Sequence, residues 1–186
     1  SLARRAGDPD RSAAGWLRRS PPRVRLGAVQ RALDGQAAVL DYARLGDHLA
    51  AILVGPHGVY ASPALAGTGA IARLVQRTLF LLRSRALRPG ESGTDAATHE
   101  ALTELASYLV WPMLPALRGA GDVRSLIVVP AGPLARVPWA ALPLPDGRPL
   151  CGSFPIIVAP GLRRALGAPP RGESGPPLVL AFDAGN

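Results

Sequence analysis

The stretch Leu126–Leu142, LIVVPAGPLARVPWAAL, constrains the fold more than any other part of this chain. Leu126–Pro130 is a short apolar run, rich in β-branched residues and closed by proline. That pattern predicts a strand buried on both faces. Pro130-Ala131-Gly132-Pro133 then forces a turn, and Val137-Pro138-Trp139-Ala140-Ala141-Leu142 supplies an aromatic cluster. A buried strand, a rigid turn and an aromatic plug in close succession predict the centre of an α/β domain, with Trp139 as an anchor of the core.

The rest of the chain divides around this segment. Leu26, Val29, Gln30 and Leu33 space as one face of a short helix ended near Gly35. Ala37–Leu45, His48–Gly55 and Val59–Ala61 are apolar runs separated by Gly46-Asp47 and Pro56-His57-Gly58, which predicts an antiparallel meander. Asp41, within the first of these strands, is expected to face outward or to form a salt bridge. Ile71, Leu74, Val75, Leu79 and Leu82 repeat with a helical period, leaving Arg73 and Arg77 on a solvated face. Residues 88–97 are expected as a polar loop. A second helix follows, with Thr98 as its N-cap and Glu100 in its first turn. Pro112 and Pro115 must kink or restart that helix. The two helices are expected to pack as a hairpin against a sheet. Phe154–Pro160 is a further buried-strand candidate, Leu162–Leu166 a helical turn, residues 167–177 a Gly/Pro-rich loop and Leu178–Asp183 a last strand. No covering helix follows that strand, so the chain is expected to stop at the start of a further module.

The charge is unevenly placed. Of 186 residues, 21 are basic and all 21 are arginine, giving a net charge of +8. Residues 1–31 hold eight of the arginines against Asp8 and Asp10, a net +6, and residues 32–186 hold the remaining +2. Residues 1–24 therefore constitute a basic, Pro-containing linker or the end of an upstream element, and 25–186 the folded portion. The basic arm has one aromatic, Trp16, and no DNA-binding motif after it, so nucleic acid is not the expected partner. No apolar run reaches the roughly 18 residues of a membrane span, and the arginine-rich start lacks the apolar stretch of a signal peptide. A single cysteine excludes an internal disulfide and a Cys-based zinc site, which makes a reducing, cytoplasmic setting the default.

Few motifs could carry chemistry. His48, His57 and His99 are far apart, with no Cys or carboxylate at ligand spacing, and are expected as solvated turn or edge residues. Gly67-Thr68-Gly69-Ala70-Ile71-Ala72 satisfies GxGxxA, but a Pro-containing loop precedes it where a dinucleotide site needs a strand. Without lysine a P-loop is impossible. Cys151 is the one conceivable thiol nucleophile. It has no histidine nearby in sequence and is expected as a small buried hydrophobe.

The order of short helix, VLDY strand, meander, helical pair, LVWPM, LIVVPAGPLARVPWAAL, PLCGSFPIIVAPGLRRAL and LVLAFD resembles the N-terminal half of a CHAT domain. That is the caspase-like domain associated with tetratricopeptide repeats. The similarity covers about residues 26–186, and its most specific part is the buried strand followed by P-x-G-x-L and V-P-W-x-x-L. The resemblance implies an α/β fold in which the meander and helical pair join the first strands of a caspase-like sheet, Leu178–Asp183 being the first strand of the peptidase-like core. It further implies a non-catalytic front half of a cysteine peptidase, with an upstream repeat region and a downstream peptidase half as protein partners. The family's catalytic histidine and cysteine follow later strands. Cys151 matches a structural position, and no histidine here matches the His-Gly pattern. No catalytic, cofactor-binding or metal residue is therefore carried over, and no cofactor or small-molecule ligand is expected. Ala131 and Gly161 depart from the family, which often has an acidic residue and a serine there. The alternative is an interaction scaffold whose parent lacks the catalytic dyad.

Overall fold

The computed structural model describes residues 26–33, 35–62, 65–88 and 92–162. The linker at 1–24, the helical turn expected beyond Leu162 and the strand expected at Leu178–Asp183 lie outside the described residues. The elements are α1 (Leu26–Ala32), β1 (Ala37–Leu45), β2 (His48–Val54), β3 (Val59–Ala61), α2 (Thr68–Leu87), α3 (Ser92–Leu109), α4 (Leu114–Gly119), β4 (Ser125–Val129) and β5 (Ile156–Val158). They form a mixed α/β fold around one five-stranded sheet of order β3-β2-β1-β4-β5.

The meander forms as its turns dictate. β1 and β2 pair antiparallel from Val39↔Val54 to Leu45↔His48, closed by the two residues Gly46 and Asp47. Gly46 has φ +59°, the left-handed conformation that a tight hairpin turn needs and glycine adopts without a Cβ clash. β3 adds antiparallel to β2. On its other side β1 pairs parallel with β4, Ala37↔Ser125 through Asp41↔Val129, and β4 pairs parallel with β5. The middle of the sheet is thus β1. The segment Leu126–Val129 is interior and buried, as expected, but lies one place off centre.

Both faces of β1 are apolar, and they belong to different cores. Ala38, Leu40 and Tyr42 join Leu126 and Val128 in the larger cluster, with side chains from α2, α3, α4 and residues 134–150. Ala37 and Val39 join Val54, Ile127 and Val129 in a smaller cluster covered by Val29 of α1 and by Leu33 in the turn just after it. Alternation of side chains along each strand produces this division.

The helical pair packs on the larger cluster. The fully buried residues of α2 are Ile71, Leu74, Val75 and Thr78, and those of α3 begin at Thr98. Leu79 is only partly buried and Phe80 and Leu87 are exposed, so the end of α2 and the start of α3 stand clear of the core. Helix α3 starts at Ser92, earlier than expected. Thr98 is not its N-cap: its hydroxyl is buried and donates to the Thr94 carbonyl at 2.7 Å, one turn back. Pro112 falls in a 3-10 turn, Trp111–Met113, and Pro115 in the first turn of α4, so the prolines restart the helix. β5 is shorter and less buried than the apolar run Phe154–Pro160 predicts, because it borders only β4 among the described strands.

Candidate functional site

The parallel strands β1, β4 and β5 all point their carboxyl ends the same way, the edge where open α/β sheets gather their ligands. Two charged side chains within these strands lie toward that edge, the exposed Arg44 and, earlier in β1, Asp41. Asp41 is half-buried between its register neighbours Ile52 and Val129. Among the described residues it forms no salt bridge, and it lies on the face of the smaller cluster. Burial raises its pKa above the ordinary carboxylate value. A lone carboxyl without a second acid, base or nucleophile lacks the partner that general acid–base chemistry needs.

The histidines and the cysteine sit on separate parts of the fold. His48 opens β2, His57 lies in the β2–β3 turn with Cδ2 close to Gly121, and His99 is on α3; all three are exposed. Cys151, expected to be buried, is exposed. It occupies the middle of a 3-10 turn, Leu150–Gly152, in which Leu150 takes the fully buried position and turns its neighbour outward. No group of three His, Cys, Asp or Glu side chains suited to a metal exists among the described residues.

The GxGxxA segment is a helix start without a preceding strand. Gly67 is the N-cap of α2 in an extended conformation, and the Thr68 amide donates to the Asp47 carbonyl. A cleft of about 240 Å³ lies beside it, lined by Arg44, Leu49, Thr68 and the turn Ala131–Pro133. Its side chains provide one cation and one hydroxyl, and neither a thiol nor a base. A second cleft of about 250 Å³ lies between the β2–β3 turn and the end of α4, where a Cβ on Gly55 would meet the Ala120 Cβ at 2.8 Å.

What the described residues do build is a rigid aromatic core at the heart of the sheet. Trp139 is 2% exposed and stacks at 5.2 Å, tilted by 34°, on Tyr42 of β1. Its indole Nε1–H donates to the Leu134 carbonyl at 3.2 Å. The Tyr42 hydroxyl donates at 2.7 Å to the carbonyl of Leu109, the last residue of α3, satisfying a group that the helix itself leaves without a partner. Burial pushes the Tyr42 pKa well above its ordinary value. Trp111 donates from Nε1 to the Pro143 carbonyl at 2.9 Å, fastening the helical restart to the turn after the plug. Sequence reasoning found Trp139 but not the roles of Tyr42 and Trp111. Their signal was present, since each is an aromatic with a polar handle inside an apolar run, yet the carbonyls they reach are 67 and 32 residues away.

No helix among the described residues is long and apolar enough to cross a membrane. No family model matches the chain, and no curated protein matches it.

Proposed function

We propose that this chain is the non-catalytic front half of a CHAT-type, caspase- or separase-like cysteine peptidase. It supports a peptidase core and links that core to an upstream repeat sensor. The observation that carries the reading is the state of β5. It is the outermost described strand of the parallel set, and Val158 on it is 49% exposed. Parallel strands normally occur buried on both faces within larger sheets, so this edge suits extension by further strands. The locked aromatic core behind it supplies a stiff base for such an extension. The separation of Cys151 from the three histidines suits a supporting rather than a catalytic part.

The 186-residue chain is expected to show no hydrolysis of peptide substrates that depends on Cys151, and Cys151→Ala is expected to leave any background rate unchanged. A rate lost in that variant would overturn the proposal. The same reading frame, followed past Asn186, is expected to encode a His-Gly after a buried strand and then a cysteine after a second one. A frame that continues without them favours the second reading, an interaction scaffold. The exposed, cation-lined outer face of α2 is the observation on that side.

A further inference from the structure

The outer face of the α2–α3 hairpin carries two stripes of opposite character. On α2 the exposed residues Arg73, Gln76, Phe80, Arg83 and Leu87 recur every three or four positions, so they share one side of the helix, opposite Ile71, Leu74, Val75 and Thr78. Phe80 is 69% exposed and Leu87 83%. Arg73 and Arg83 form no ion pair among the described residues. On α3 a shallow groove of about 510 Å³ is lined by Ala96, His99, Glu100, Thr103, Glu104 and Ser107, again one side of the helix and again opposite its buried residues. One stripe is a ridge of arginine and large apolar side chains. The other is a furrow of small side chains and carboxylates.

We propose that this face is a self-complementary interface through which a second copy of the chain docks, forming a four-helix layer. The intramolecular register fixes how the stripes meet. Arg77 pairs with Glu104 at 3.7 Å and Arg85 with Asp95 at 2.6 Å, so the helices run antiparallel with Phe80 level with Glu100. A two-fold axis in the interface, parallel to the hairpin, lays α2 of each copy over α3 of the other without changing that level. Phe80 then enters the furrow between Ala96 and Thr103, and Arg83 comes within one turn of Glu100. The perpendicular in-plane axis would set α2 on α2 and oppose arginine to arginine, so charge selects the first arrangement. Each contact occurs twice by symmetry, and the two phenyl rings leave solvent together.

The test is sedimentation equilibrium of the full 186-residue chain across micromolar concentrations, with Phe80→Asp, Glu100→Arg and the double variant Arg83→Glu/Glu100→Arg. The wild type is expected to be a dimer. Phe80→Asp should weaken it by more than about a hundredfold and Glu100→Arg by about tenfold, and the double charge reversal should recover most of the latter loss. Phe80 and Glu100 are exposed, so circular dichroism and thermal midpoints of the variants should match the wild type. Should Phe80→Asp fail to fold, the charge-reversal series decides alone. A wild type that stays monomeric at about 100 μM overturns the proposal. So does a dimer that Phe80→Asp leaves intact, or a charge reversal with no recovery. These outcomes concern assembly alone and leave the peptidase reading to its own test.

Discussion

The face of the sheet that carries Leu40, Tyr42, Leu126 and Val128 lies under three helices and the long turn region around Trp139. The face that carries Val39, Val54, Ile127 and Val129 has α1, seven residues long, as its main described cover. The first face is held by directional bonds as well as by apolar contact, through Tyr42, Trp111 and Trp139. The second has one described side-chain hydrogen bond from its helix, Gln30 to the Gly55 carbonyl at 3.3 Å. The difference teaches that this sheet has a committed side and a lightly covered side. Ile52 on the second side remains 38% exposed beside the half-buried Asp41.

The contrast can be broken by substitution. Trp139→Ala should have the largest effect, a loss of about 3–5 kcal/mol in chemical denaturation, because it removes a fully enclosed indole and its bond to Leu134. Leu33→Ala on the thin face should cost less, about 2 kcal/mol, since a short helix with few neighbours can settle into the space. Equal losses would erase the distinction between the faces. Tyr42→Phe should cost about 1–2 kcal/mol, the penalty for a buried Leu109 carbonyl left without its donor. It should also remove a pH effect. Because the folded state holds the Tyr42 pKa above its unfolded value, stability is intact below about pH 10 and falls above it. The variant should lack that part of the alkaline loss.

Asp41→Asn should give the smallest change, and of the opposite sign. Burial raises the folded-state pKa of Asp41, so ionised Asp41 disfavours the folded state once the pH exceeds its ordinary value of 3.8. Replacing it should raise the thermal midpoint at pH 7, and the gain should shrink as the pH falls toward 3.8 and be gone below it. A variant less stable than the wild type at pH 7 would mean that Asp41 has a favourable partner, contrary to its surroundings of Ile52 and Val129.

Much of this was legible in the chain. The meander could be located from Gly46-Asp47 and Pro56-His57-Gly58, and the helical restart from Pro112 and Pro115, because these residues restrict their own backbone. The start of α3 was not legible. A threonine ahead of an apolar period is a local capping signal, but the helix runs on upstream of it, clear of the core, where Asp95 pairs with Arg85 of α2, and Thr98 satisfies its hydroxyl one turn back. The burial of Cys151 was misjudged for a related reason. Small size and low polarity permit burial without requiring it, and Leu150 next to it had more apolar surface to remove from water.

By itself the sequence determined the periods: which segments alternate as strands, which repeat as helices, and where glycine and proline end them. Those are consequences of neighbours within a few residues. Only the tertiary structure decided that β1 takes β4 as a parallel partner some ninety residues away, that β1 rather than the LIVV strand is the middle of the sheet, and that Tyr42 and Trp139 meet. Several pairings satisfy the same periodicity. The one adopted buries both apolar faces of β1 and gives the buried hydroxyl and indoles their acceptors, and that energy depends on residues that no local window contains.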